Sequence, residues 1–183
     1  MHQYLKELRR STLNLLNKTT QKICKTHTFY NYIILNASKC TKILNFLSEN
    51  EAYISTDIVK SFKSCCLYVG KGSNKRKFIH IRNARNRNII HNKNISTIQK
   101  LIERKKGIML FHFPTEVNHF KAHSREYALI KAVGLINLNN YINGTAYGSC
   151  ALWNEVETQN FGDMMLYNAI KICVSDPPPI LLQ

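Results

Sequence analysis

Residues 67–80 read L-Y-V-G-K-G-S-N-K-R-K-F-I-H. An apolar run over residues 65–69 stops at Gly70, two glycines flank Lys71, and a basic segment follows. That order predicts a strand, a tight turn and the start of a helix. A side chain at Gly70 or Gly72 would block close approach of a ligand, and the turn exposes Lys71. Arg76 and His80 lie four residues apart, on one face of the helix that follows. Tyr68, Lys71, Arg76 and His80 can therefore converge where strand meets helix, a cluster suited to a phosphate. The same letters exclude two other phosphate motifs. The Gly-Lys-Ser/Thr spacing of a P-loop is missing, and so is the third glycine of a dinucleotide fingerprint.

Charge sharpens this reading. The 183 residues carry 26 Lys plus Arg against 11 Asp plus Glu, a net charge of +15. Residues 71–106 hold twelve of the basic residues and one acid, Glu103, so +11 of the +15 falls there. A cluster this lopsided points to a polyanion, with Lys71, Lys75, Arg76, Lys77, Arg82, Arg85 and Arg87 as the candidate contacts. The segment lacks the bulky apolar face of an interfacial helix, which favours nucleic acid and speaks against a membrane. The apolar share of 44% is enough for a core. No run approaches the ~18 apolar residues of a membrane span, and the first ten residues lack a signal-peptide core. An intracellular protein, nuclear or cytoplasmic, is expected. The six cysteines show no Cys-x-x-Cys pair and no zinc-ligand spacing, so reduced thiols in the core are expected.

The length suits one domain with short extensions. Residues 1–25 read as an N-terminal helical extension through Tyr4, Leu5, Leu8, Leu15 and Leu16. Residues 26–35, rich in aromatic and β-branched side chains, predict a strand that carries Tyr30 and Tyr32. Residues 36–64 show no clear overall period and read as an insertion between neighbouring strands, with a turn or two of helix at 41–47. Helices are predicted over 75–88, 95–106, 119–133 and 161–174, and a strand over 108–113. Pro114, Gly107 and Gly134 act as stops. Arg76, His80, Asn83 and Arg87 make one stripe of the first helix. Residues 175–183, with three consecutive prolines, read as a frayed tail.

Glu126 falls on the apolar face of the 119–133 helix, with Ala122, Leu129, Ile130 and Val133. Between Ile58 and Asn154 the only acids are Glu103, Glu116 and Glu126. A carboxylate facing a core needs a partner. One reading is an arginine, such as Arg76 or Arg125. The other is a divalent metal held by oxygen ligands and water.

Together these elements resemble the GIY-YIG nucleases. Tyr30-Asn31-Tyr32 stands at the first motif, where Tyr-Asn replaces Gly-Ile, and Tyr68-Val69-Gly70 stands at the second. Arg76 and His80 match the arginine and histidine of the next helix, Glu126 the metal-binding glutamate, and Asn140 the downstream asparagine. The 36 residues from Tyr32 to Tyr68, the Gly-Lys-Gly turn and the run R-E-Y-A-L-I-K-A-V-G-L-I-N-L-N-N-Y-I-N-G-T-A-Y-G look like one animal branch. That branch is the nuclease domain of the ankyrin-repeat and LEM-domain endonucleases. The resemblance spans residues 29–174.

The resemblance implies an α+β fold, with a small mixed or antiparallel sheet flanked by helices and a long insertion between the first two strands. It implies a domain over 26–174 that hydrolyses DNA phosphodiesters with Mg²⁺ or Mn²⁺, with branched DNA in repair as one substrate class. Glu126 would hold the metal. Tyr32 would position and deprotonate water. A phenol of pKa ~10 is a poor base at neutral pH, so Lys71 or Arg76 would have to favour its phenolate. Arg76 would neutralise charge on the phosphorane, Tyr68 and His80 would orient phosphate or water, and Asn140 would order the site. Two alternatives stay open: an inactive nucleic-acid-binding module and a mobile-element nuclease.

Overall fold

The computed structural model describes residues 28–86, 93–114 and 117–181. The N-terminal helical extension, Arg87 and Glu116 lie outside the described residues. Along the rest of the chain run β1 (Tyr30–Asn36), α1 (Ala37–Glu49), α2 (Thr56–Lys63), β2 (Cys66–Gly72) and a 3-10 turn (Arg76–Phe78). Then come α3 (Ile79–Arg85), α4 (Lys93–Glu103), β3 (Ile108–His112), α5 (His119–Val133), α6 (Glu155–Ser175) and β4 (Ile180–Leu181).

The strands form one antiparallel sheet in the order β2-β1-β3-β4. All seven residues of β1 are buried, as a central strand covered on both faces requires. Alternation sends Ile33 and Leu35 into a large cluster with α1, α5 and α6, and Tyr30, Tyr32 and Ile34 into a smaller one with α3 and α4. This is the α+β architecture expected from the sequence.

Asparagines start several of the helices. Asn36 caps α1 through Lys39 N, Asn118 caps α5 through Lys121 N, and Asn154 forms a reciprocal capping box with Glu157 at α6. That box starts α6 six residues before the predicted position. Gly134, at φ 86°, ends α5 and returns its N–H to Ile130 O. Gly162 seats α6 on α5: a Cβ there would lie 2.2 Å from Ala128 O and 2.6 Å from Ala132 Cβ.

Four expectations change. The segment between β1 and β2 holds two helices, α1 and α2; Cys40, Leu44 and Leu47 form the buried stripe of α1. The tight turn is not at Gly70–Gly72, which belong to β2; the chain turns just after, with Asn74 at φ 51°. The helix predicted over 75–88 begins as a 3-10 turn at Arg76 and becomes α-helical only at Ile79. The tail differs too: Ile180 and Leu181 pair with Met109 and Ile108 past the prolines, so this part is an edge strand. Among the described residues no helix is long and apolar enough to cross a membrane. Cys40, Cys65, Cys66 and Cys173 are buried and Cys150 is half-buried, all as free thiols.

Candidate active site

Antiparallel register sets Tyr32 opposite Gly70 and Tyr30 opposite Gly72. A Cβ on Gly70 would stand 2.5 Å from the Tyr32 ring and 2.6 Å from its hydroxyl. The glycine therefore makes room for the tyrosine ring and not, as expected, for a ligand. Gly72 does the same for Arg76, whose Cβ would be 2.9 Å away. Tyr30 fixes the turn after β2. Its hydroxyl donates to Asn74 O at 2.6 Å and accepts from Lys77 N at 3.2 Å.

Lying over bare backbone, Tyr32 brings Oη to 3.1 Å from His80 Nε2. The Tyr68 ring stacks at 4.5 Å from the His80 ring and 6.1 Å from the Tyr32 ring. Burial pushes the Tyr32 hydroxyl well above the usual phenol range; the Tyr68 ring adds to this and Arg76 opposes it. The condition set for a phenolate is thus not met, because desolvation outweighs the cation. Burial, then the Glu126 carboxylate, raises Tyr68 as well. His80 is pushed below 6.5 by burial first and Arg76 second, so its imidazole is neutral.

On the other side of β2, Lys71 Nζ lies 3.3 Å from Glu126 Oε2, with side chains 22% and 13% exposed. The core-facing carboxylate pairs with Lys71, a cation not expected from the sequence, and Arg76 acts on it electrostatically. A lysine two residues past Val69 on an edge strand reaches α5 more directly. Burial raises the Glu126 carboxyl above its ordinary range although Lys71 pulls it down. The loop at Gly144 passes over the same oxygen, where a Cβ would lie 3.7 Å from Oε2.

Asn140 grips the outer edge of β2. Its Oδ1 accepts from Val69 N at 3.0 Å and its Nδ2 donates to Val69 O at 2.8 Å. Asn139 N adds a bond to Leu67 O at 2.7 Å. The strand that carries Tyr68 and Lys71 is thereby paired on both edges.

The model of the LEM-3-like GIY-YIG domain matches residues 29–178. The chain belongs to this family. It is similar to an ankyrin repeat and LEM domain-containing protein 1 homolog of Caenorhabditis elegans, 29% identical over 118 residues, which is 61% of this chain and 17% of that one. It is also similar to the human ankyrin repeat and LEM domain-containing protein 1, 25% identical over 125 residues, 64% of this chain and 20% of that one. The chain thus spans about a fifth of the length of these relatives. No solved structure matches.

Within this GIY-YIG chain, the residues read from the sequence do come together: Tyr32, Tyr68 and His80 by contact, and Lys71 with Glu126. Arg76 is exposed at the mouth and acts electrostatically on Tyr32, Tyr68, His80 and Glu126. Asn140 supports β2 from behind. Lys75, Arg82 and Arg85 are exposed, whereas Lys77 lies over the Tyr30 ring at 5.2 Å. One residue escaped the motifs. Asn94, in the first turn of α4, is buried and reaches His80 Nδ1 with its Nδ2 at 3.0 Å. The signal was present: Asn94 shares a helical stripe with Ile98 and Leu101, a polar residue on an apolar face.

Proposed function

We propose that this chain is a metal-dependent endonuclease that hydrolyses DNA phosphodiester bonds, with its active centre at the edge of β2. The observation that carries the reading is one juxtaposition. A tyrosine–histidine pair at 3.1 Å on one side of β2 and a partly buried carboxylate on the other are near enough for the Glu126 charge to act on Tyr32 and Tyr68, in a chain matched over 29–178 by a GIY-YIG domain.

The donor set suits a hard divalent cation, Mg²⁺ or Mn²⁺. Glu126 offers an oxygen ligand whose burial disfavours the bare anion, and a cation there relieves that cost. Among the described residues no group of three or more His, Cys, Asp and Glu side chains converges. Water and phosphate oxygens would complete the shell, which matches the habits of Mg²⁺. When bound, the ion supplies charge stabilisation to the phosphate and the leaving oxygen.

The remaining work falls to the chain. Tyr32, kept protonated by burial, holds the attacking water at its Oη. As the water oxygen bonds to phosphorus, its proton passes to Tyr32 Oη while the Tyr32 proton passes to neutral His80 Nε2. The phosphorus–oxygen bond to the leaving sugar breaks, and the imidazolium later returns its proton to solvent. Arg76, exposed beside this tyrosine–histidine group, would neutralise charge developing on the phosphorane. Glu126 would hold the ion, and Lys71, now 3.3 Å from that carboxylate, would then be free to pair with the phosphate. Lys75, Arg82 and Arg85 bind backbone phosphates, which makes recognition depend on DNA shape more than sequence.

The test is nicking of supercoiled plasmid with and without Mg²⁺, then a panel of labelled duplexes, flaps and junctions. Mg²⁺-dependent nicking with a preference for branched forms is expected. Absence of cleavage with tight DNA binding would favour a nucleic-acid-binding module. Binding should weaken with salt, by roughly −0.9 in log K per log salt for each phosphate contacted.

A further inference from the structure

His80 is held at both ring nitrogens: Nε2 lies 3.1 Å from Tyr32 Oη, and Nδ1 lies 3.0 Å from the Asn94 amide. A neutral imidazole has one N–H and one lone pair. Whatever Asn94 presents to Nδ1 therefore decides what Nε2 presents to Tyr32. Asn94 is 2% exposed, and its Oδ1 is buried without a hydrogen-bond partner. In either orientation one amide group meets Nδ1 and the other stays bare, so the proton relay selects between them: Nε2 can take the Tyr32 proton only where Nδ1 carries the N–H. A half turn of the amide exchanges its oxygen and nitrogen in nearly the same positions. The oxygen then accepts from Nδ1–H, and the Nε2 lone pair faces the Tyr32 hydroxyl.

We propose that Asn94 is a positioning residue that holds His80 in its Nδ1–H tautomer, so that Nε2 accepts the proton of Tyr32. The proposal rests on the nuclease reading for the choice of tautomer, and on the two ring contacts for the clamp itself. It explains why a polar residue occupies the apolar stripe of α4. It also gives that helix a part in the site: α4 and α3 pack in the smaller cluster, and the imidazole is clamped between β1 and α4. The groups facing His80 are Tyr32 from β1, Tyr68 from β2, Arg76 from the 3-10 turn and Asn94 from α4. None of the first three can accept a hydrogen at Nδ1 in place of Asn94 without releasing its own contact.

Three proteins decide the matter: the parent, Asn94→Asp, which keeps an acceptor, and Asn94→Leu, which keeps only volume. Imidazole ¹⁵N chemical shifts of the DNA-free chains report the tautomer. The parent should show His80 protonated at Nδ1. Asn94→Leu should lose that bias, lowering kcat for nicking with KM unchanged. Asn94→Asp should keep the tautomer and raise the His80 midpoint by about one to two pH units, as an adjacent carboxylate does. The acid limb of the pH–rate profile should move with it, and cutting should recover above that limb. An Nε2–H tautomer in the parent overturns the proposal, as does a tautomer unmoved by Asn94→Leu. If Asn94→Leu does not fold, an unshifted His80 midpoint in Asn94→Asp overturns it alone. The spectra need no cleavage, so an inactive parent with the expected ¹⁵N shifts would remove the nuclease reading and leave the clamp.

Discussion

One face of β1 sends Ile33 and Leu35 into a cluster of aliphatic, aromatic and cysteine side chains. The other face sends Tyr30 and Tyr32, one residue out of phase, into a cluster that also buries hydroxyls, an imidazole and an amide. Every residue of β1 is buried, yet the two faces are covered by different means. The first is filled by volume, so its contacts can be exchanged for others of similar size. The second depends on directed bonds among Tyr32, His80 and Asn94, where the loss of one group leaves its neighbour unsatisfied. β1 therefore packs mainly by volume on one side, where Asn31 also donates to Ala122 O, and carries the tyrosine–histidine contact on the other.

The largest expected effect breaks the site without touching the core. Glu126→Gln keeps shape and removes the charge that would hold the metal. Nicking should fall by roughly 10²–10³-fold, the scale of one lost electrostatic group. Because burial already raises this carboxyl, its ionised form adds no stability at neutral pH. The melting temperature should stay within about 4 °C, which corresponds to roughly 1 kcal/mol for a chain of this size, and metal-free DNA binding should persist or tighten. A variant that melts like the parent and still cuts removes the metal assignment.

Next in size is Tyr32→Phe, which keeps the ring over Gly70 and deletes one hydroxyl. Cleavage should drop by about 10²-fold or more, the range for a group in proton transfer, with folding intact. Nicking at the parental rate would make Tyr32 a core residue.

A pair of glycines then sets the two faces against each other. Gly162→Ala drives a methyl into Ala128 O at 2.2 Å, on the packed side. Gly70→Ala drives one into the Tyr32 ring at 2.5 Å, on the site side. Each should lower stability by about 1–3 kcal/mol, as overpacking does. Only Gly70→Ala should also lower kcat in the folded fraction. Equal loss of specific activity in both variants would erase the distinction between the faces.

The smallest effect is on pH. The folded values of His80 and His123 are depressed, that of His123 to about 4, chiefly by burial. The unfolded chain then binds protons that the folded one rejects. Stability should decline as pH falls from about 6.5 toward 4. Glu126, raised by burial, works in the opposite direction just above its ordinary 4.5 and blunts the decline there. Thermal melts across this range measure it, and His123→Gln should flatten the slope. A melting temperature that rises on acidification would contradict the burial of both rings.

Much of this was legible in the letters. Period and punctuation located β3 and α5, the second with its observed ends, and the order of tyrosine, arginine, histidine and glutamate singled out side chains that the fold brings near one another. What local sequence cannot carry is register. Nothing in Tyr68-Val69-Gly70 says that Gly70 faces Tyr32 across a strand pair, so the glycine was read as space for a ligand. The same gap hid Lys71 as the partner of Glu126, since strand parity and helix packing choose that neighbour. In α1, Cys40, Leu44 and Leu47 keep helical spacing, but Ile43 and the exposed Phe46 lie beside them and blur the stripe. Asn94 was passed over because a lone polar residue in an apolar stripe has no motif to announce it.

The grip of Asn140 on Val69 joins positions 71 residues apart. It therefore bears on the order of events during synthesis. β1 and β2 can meet as soon as both have left the ribosome, but the free edge of β2 stays open until residues 139–140 follow. In that interval an unpaired strand edge is offered to any passing chain. Closing it is the task of the segment after α5, which makes this asparagine-rich loop a seal on the nascent sheet as well as a brace for the finished one.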